Sequence, residues 1–248
     1  MSIWTRWLLA ATCVGGCYQT PDNVPSDTDT ADGTGATEVA AAGTSDGAAA
    51  EETEAEEVIA FFDDFEVDQG TWAFVDEARA TQRAPSQWTY LDGDLVQRSG
   101  ISGPDGADIS AGTFAVGGDA DWDVYEVTAT FTVDDDAVVG VMCHVTDDER
   151  WLRLTVDVET GLVRLVESDA DGPRVLAEAA ADAGALASGV MHALALDCED
   201  GYRGFVDGAL VVQAAGPADA EGAVGLYVSG LGDGPVGLRF HDVRVVND

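Results

Sequence analysis

Trp122-Asp-Val-Tyr-Glu-Val-Thr-Ala-Thr-Phe-Thr-Val133, followed by Val138-Val-Gly-Val-Met-Cys-His-Val145 and Trp151-Leu-Arg-Leu-Thr-Val-Asp-Val158, is the stretch that decides the architecture. In the first run Tyr125, Val127, Ala129 and Phe131 alternate with Glu126, Thr128 and Thr130. That period of two belongs to β-strands with one buried face. In the second run Val139, Val141, Cys143 and Val145 form the inward set, with Met142 and His144 opposite. In the third, Leu152, Leu154 and Val156 face in, leaving Trp151, Arg153, Thr155 and Asp157 on the other side. The acidic clusters Asp134-Asp135-Asp136 and Asp147-Asp148-Glu149 between the runs read as polar loop tips.

The same cadence extends in both directions. Trp88–Val96, Phe114–Val116, Leu162–Val166, Met191–Leu196, Gly204–Val206, Ala209–Gln213, Ala223–Val228 and Val236–Val246 are short apolar or alternating runs broken by Gly, Asp and Pro. Strand and turn in steady succession predict an all-β antiparallel sandwich of two sheets over residues 61–248. Asp207-Gly208 between two apolar pairs predicts a tight hairpin, because both turn positions need positive φ. Val175–Leu186 is Ala-rich enough for a helix, but Gly184 and the neighbouring strands favour a strand followed by a loop.

Ahead of the sandwich the texture differs. Arg6 precedes a brief apolar run, Trp7 to Ala11, too short to cross a bilayer and of the length of a secretory signal. Val14-Gly15-Gly16-Cys17 resembles a bacterial lipobox, which predicts removal of residues 1–16 and lipidation of Cys17. Cys13 is the poorer site, since Thr12 precedes it. Residues 17–60 are rich in Thr, Ala, Gly, Ser and Asp or Glu, with 11 acidic and no basic side chains from residue 18 onward. Such a segment buries too little apolar surface to offset ordering, so it is expected to be a disordered acidic linker. Together these features predict a lipid-anchored protein of the cell envelope, facing the periplasm or the exterior.

The chain carries 47 acidic and 11 basic residues and a net charge of −36. That field repels nucleic acid, so no nucleic-acid partner is expected, and contact with a membrane is expected only through the N-terminal lipid.

Several phrases fit one family pattern. Phe62-Asp63-Asp64-Phe65 precedes Trp72, and Trp88-Thr-Tyr-Leu-Asp-Gly-Asp-Leu95 follows. Next come Gly140-Val-Met-Cys-His144, Arg150-Trp-Leu-Arg153, Val206-Asp-Gly208, Gly225-Leu-Tyr227 and Phe240-His-Asp-Val-Arg-Val245. Their order resembles concanavalin A-like lectin/glucanase jelly rolls, of the laminin-G-like and 3-keto-disaccharide-hydrolase-like sort. The resemblance implies two curved sheets, a binding site commonly on the concave one, and carbohydrate or extracellular protein as partner.

Read by alternation, Glu126, His144, Trp151, Arg153, Arg203 and Phe205 face away from the core, and one groove holding them all would suit a sugar. Burial of Trp151 and Phe205 under loops is the equally weighted alternative. The Glu-x-Asp-x-x-Glu phrase of laminarinase-type members is missing, so a non-catalytic binding function is expected. A glycoside hydrolase or lyase is the alternative, with Glu126, His144 and Asp157 as acid–base candidates. Asp157-Val-Glu159 runs into Gly161 and reads as a solvated turn.

Nothing in the chain resembles a phosphate loop or a dinucleotide fingerprint, and a structural calcium is the one cofactor expectation. His144, His192 and His241 lack metal-ligand spacing, whereas Asp63, Asp64 and Asp242 are candidate ligands for a structural calcium if first and last strands pair. For Cys143 and Cys198, a disulfide and two buried thiols both remain open.

Overall fold

The computed structural model describes residues 58–104, 107–123, 125–134, 136–181, 186–199, 201–216, 220–230 and 237–247. The leader, Cys17 and the linker up to residue 57 lie outside them. The described residues form one compact unit.

The described residues form strands and no helix. In chain order the strands are β1 (Val58–Asp63), β2 (Ala73–Asp76), β3 (Trp88–Leu91), β4 (Asp94–Gln97), β5 (Thr113–Gly117), β6 (Glu126–Val133), β7 (Ala137–Val145) and β8 (Trp151–Asp157). There follow β9 (Leu162–Asp169), β10 (Gly172–Ala180), β11 (His192–Asp197), β12 (Tyr202–Val206), β13 (Ala209–Ala214), β14 (Ala223–Gly230) and β15 (Leu238–Asn247). One sheet runs β13-β12-β11-β6-β15-β4-β3, with β1 also paired to β15; the other runs β10-β9-β8-β7-β14-β5-β2. Every pairing is antiparallel. This is the all-β sandwich expected from the strand and turn cadence, with the two antiparallel jelly-roll sheets that the family resemblance implies.

The core lies between the sheets. Val127, Ala129, Phe131, Leu194, Leu196, Val243 and Val245 from one sheet meet Val139, Val141, Leu152, Leu154, Val156, Leu226 and Val228 from the other. These are mostly β-branched and Leu side chains at every second position, the composition that packs on a pleated surface. Asp207 (φ 49°) and Gly208 (φ 79°) form the expected hairpin turn between β12 and β13. Asp92 (φ 56°) and Gly93 (φ 82°) repeat it inside the run expected as one strand, splitting it into β3 and β4. Residues 175–180 of the ambiguous Ala-rich region lie in strand β10. Strand β1 starts at Val58, three residues before the expected boundary at 61.

Cys143 on β7 and Cys198 just after β11 form a disulfide across 6.8 Å of Cα separation, tying one sheet to the other. The seven-stranded sheet is also covered on its outer face, by a second apolar layer of Phe114, Val138, Met142, Trp151, Val166 and Tyr227. The segment Ile109–Gly112 runs over this layer, with Ser229 Oγ donating to Ala111 O at 2.9 Å. A Cβ on Gly112 would stand 2.0 Å from Val228 O, so only glycine lets the segment come this close.

Candidate functional site

The six side chains expected to share a groove do not. Glu126, Arg203 and Phe205 project from β6 and β12 on the outer face of the eight-stranded sheet, whereas Trp151, Arg153 and Asp157 project from β8 on the outer face of the other. Alternation reports which residues share a face of one strand. It cannot tell which sheet the strand joins.

Arg153 is 0% exposed, and Trp151 is 3% exposed. The Arg153 guanidinium lies 4.3 Å from the Trp151 ring centroid and 3.7 Å from that of Tyr227. Its Nη2 donates to Ser110 O at 2.9 Å, and its Nη1 lies 3.4 Å from Glu77 Oε2. Glu77 Oε2 also accepts from Gly112 N at 2.6 Å, and Glu77 Oε1 lies 3.5 Å from Arg79 Nη2. Arg153 is therefore the hub that holds the covering segment to the sheet. Trp151→Ala is accordingly expected to destabilise the fold by about 3–5 kcal/mol, as truncation of a buried Trp does. Urea unfolding checks this.

His144 corrects the alternation a second time. Its φ is 53°, beside a register break in the pairing of β14 with β7. The reversal turns the ring between Tyr125 and Tyr202, at centroid distances of 5.8 and 6.0 Å, and sends Val145 to the outer layer. The Tyr125 hydroxyl accepts from His144 N at 2.9 Å and donates to Gly222 O at 2.9 Å, which holds the kinked strand end.

Burial pushes the His144 pKa below its usual 6.5, opposed by the backbone of Asp123. The folded pKa is the lower one, so its contribution is full above pH 6.5 and is lost as pH falls toward the folded value. His144→Asn, which tolerates positive φ, is expected to flatten the fall in melting temperature on acidification below pH 6.5. An unchanged slope contradicts this.

The candidate calcium ligands do not converge either. First and last strands pair, but Asp63 faces inward, accepting from Phe65 N at 2.9 Å and Trp72 Nε1 at 2.8 Å. Asp242 faces outward and accepts from Thr130 Oγ1 at 2.6 Å, and Asp64 is exposed, accepting from Glu66 N at 3.3 Å. Adjacent positions in paired strands point to opposite faces, so pairing β1 with β15 does not gather the three carboxylates. Asp157 Oδ1 accepts from Thr160 N at 3.0 Å, in the turn expected of it.

What the structure does bring together lies at one end of the sandwich, where β7, β9, β11 and β13 finish and β8, β10, β12 and β14 begin. Three hollows adjoin there. The first, about 240 Å³, is lined by Glu77, Arg79, Glu149, Trp151, Ser168 and Asp171. The second, about 230 Å³, shares Trp151 and Ser168 with it and adds His144, Arg150, Glu167 and Tyr202. The third, about 510 Å³, shares Tyr202 and adds Glu199, Arg203 and Gln213. Trp151 and Tyr202 thus stand at the two joints of a furrow.

Burial pushes the Tyr202 hydroxyl up to about 12, with Glu167 adding to the effect, so it remains a donor at neutral pH. Of the expected residues, His144, Trp151 and Arg203 line the furrow; Arg153 lies beneath it, and Glu126 and Phe205 lie outside it. Tyr202, Ser168 and Arg150 were missed. The available signal for Tyr202 was a polar-tipped aromatic at an inward position at the first residue of a strand, where the core meets the sandwich end.

No protein-family model and no curated protein match the chain. Solved structures do. A carbohydrate-binding module, CBM66, from Bacillus subtilis superposes with a TM-score of 0.54 at 16% identity, covering 71% of this chain and 96% of that one. A β-glucanase from Bacillus licheniformis gives 0.54 at 14% identity, covering 76% and 97%. A family 16 endo-glucanase from Bacteroides ovatus gives 0.53 at 11% identity, covering 75% and 99%. At these identities the likeness establishes the fold, a concanavalin A-like jelly roll.

Proposed function

We propose that the chain is a non-catalytic carbohydrate-binding module that takes a glycan along the furrow at the end of the sandwich. The observation that carries this is the run of three adjoining hollows at the sandwich end, lined by polar side chains and joined at the edges of Trp151 and Tyr202, which are themselves 3% and 2% exposed. Sugar recognition needs a hollow with convergent donors and acceptors. Arg150, Arg203, His144, Ser168, Glu167 and Gln213 are those groups here. The fold is shared with a carbohydrate-binding module and with glucanases, which supports a glycan ligand. The net charge of −36 favours a neutral glycan over a uronic or sulfated one.

Binding is favoured over hydrolysis because glycosidases place two carboxyls across one bond, about 5–9.5 Å apart. Glu126 and Asp157 lie on opposite faces of the sandwich, and neither lines the furrow. Of the furrow's carboxylates, Glu77 is paired with Arg153 and Arg79, Glu167 with Arg174, and Asp169 accepts from Asp171 N at 2.8 Å, while Asp148, Glu149, Asp171, Glu199 and Glu221 also line it.

A glycan array followed by calorimetry on the full chain tests the proposal. Neutral oligosaccharides are expected to bind. Arg150→Ala combined with Arg203→Ala, both on exposed side chains, is expected to weaken binding at least about tenfold, the worth of one hydrogen bond to a charged group. Arg150→Ala alone should leave the melting temperature unchanged, whereas Arg203→Ala should lower it, since Arg203 is ion-paired to the buried Asp197. Full affinity in that variant overturns the assignment to the furrow. Release of reducing sugar that vanishes in Glu167→Gln installs the hydrolase instead.

The proposal includes presentation on a lipid anchor at Cys17, motivated by the Val-Gly-Gly-Cys phrase. Mass spectrometry of the native N-terminus is expected to find an acylated Cys17, and Cys17→Ala is expected to release the protein from the membrane fraction. An unmodified N-terminus elsewhere contradicts it.

A further inference from the structure

Away from the furrow, on the outer face of the eight-stranded sheet, a hydroxyl, an imidazole and a carboxylate stand in one hydrogen-bonded row. His241 Nδ1 lies 2.7 Å from Asp94 Oδ1, and His241 Nε2 lies 3.1 Å from Thr132 Oγ1. Arg239 Nη1 donates to Asp94 Oδ2 at 2.9 Å. The strands build this row. The pairing of β15 with β6 shifts register between Phe240 and Asp242, and the bulge re-aims His241 toward Thr132. Arg239 is the direct cross-strand partner of Thr132, and Asp94 opens β4, on the other side of β15. The row is open to solvent: the side chains of Asp94, His241 and Arg239 are 15%, 23% and 36% exposed, and Thr132 is half-buried.

The partners fix the proton positions. A carboxylate only accepts, so Nδ1 carries the proton and Nε2 is left to accept from the Thr132 hydroxyl. His192 is the contrast. Its ring nitrogens lie 2.9 Å from Asp207 Oδ2 and 3.3 Å from Ala187 O, both acceptors, so neither faces a hydroxyl. A hydroxyl held against a base that a third group orients is the arrangement that turns an alcohol into a nucleophile. Arg239, across the strand from Thr132, adds a cation where an oxyanion would form.

We propose that Thr132, His241, Asp94 and Arg239 form an ester-hydrolysing site for short, uncharged acyl esters, separate from the glycan furrow.

The Thr132 oxygen bonds to the ester carbonyl carbon as its proton passes to His241 Nε2, and Arg239 faces the oxyanion so formed. The bond to the leaving alcohol then breaks, and the alcohol takes the proton from His241. Water adds to the acyl-Thr132 by the same route, releasing the acid and restoring the hydroxyl. Ester and water thus give acid and alcohol, with no other reactant. The surroundings select the class. Asp94 already balances Arg239, and Asp242, bonded to Thr130, stands on the same face, so an anionic ester is repelled. Met191, 60% exposed, precedes His192 on the opposite flank of β6 and offers apolar surface to a short acyl chain.

The test is turnover of p-nitrophenyl acetate by the full chain. Release of 4-nitrophenol well above that by free imidazole at equal concentration is expected, with an acetyl group trapped on the peptide carrying Thr132 after an acid quench. Thr132→Val and His241→Gln should each lower the rate at least about hundredfold, the worth of general-base catalysis. Thr132→Ser keeps the hydroxyl and should retain the activity, and His192→Gln should leave it unchanged. Melting temperatures show which variants fold, and His241→Gln carries the test if Thr132→Val does not. Three results overturn the proposal: turnover no faster than imidazole, a rate that survives loss of the Thr132 hydroxyl or the His241 ring, or a rate lost in His192→Gln. Since glycan binding in the furrow is measured separately, either site can fail without the other.

Discussion

Arg153→Met is expected to lower the unfolding free energy by about 3–5 kcal/mol, as much as truncation of the neighbouring Trp151. Methionine keeps much of the apolar stem, so the loss comes from what is stranded. Glu77, 5% exposed, keeps its negative charge while losing the partner at 3.4 Å. Ser110 O loses the Nη2 donor, and the Trp151 and Tyr227 rings lose the cation near them. A buried cation–π contact adds about 2 kcal/mol to such a site. The double variant Glu77→Leu/Arg153→Met is expected to recover much of the loss, because removing both charges removes the desolvation cost. Urea midpoints at constant m-value measure both. A loss under about 1 kcal/mol in the single variant contradicts the hub role of Arg153.

The second large effect is removal of the disulfide. Cys143 and Cys198 are 55 residues apart in the chain and join the two sheets. Closing a loop of that length stabilises by about 4 kcal/mol in the chain-entropy treatment, through the unfolded state. Cys143→Ala with Cys198→Ala should therefore lower stability by about that amount, with the largest share in the folding rate if the link forms early. Thiol counting in denaturant without reductant is expected to find neither of these cysteines reactive. Two reactive thiols there contradict the bridge.

The legible and illegible parts of this chain divide along a physical line. Face assignments within β6, β8 and β12 follow from side-chain alternation, which is local, and the structure bears them out. Placing Glu126 and Trp151 in one groove failed because sheet membership is set by long-range pairing: β6 lies between β11 and β15, β8 between β7 and β9. His144 failed for a different reason, a positive φ that no alternation rule anticipates in a non-glycine residue. The cover over Arg153 was illegible because it depends on Gly112 and Ser110 in an irregular segment. The sandwich as a whole was readable, since some ten alternating runs and the Asp207-Gly208 turn all point the same way. The furrow was half readable: Trp151, His144 and Arg203 were named, while Tyr202 was hidden by its inward position at a strand start.

The most direct measurement of the central claim is to map, by NMR on the full chain, where the tightest neutral glycan from the array binds. The account predicts saturable shifts at the Trp151 indole N–H, at Ser168 and at Tyr202, along the end of the seven-stranded sheet and across to β12. Shifts confined to Glu126, Thr128 and Phe205, on the open outer face of the eight-stranded sheet, would contradict it.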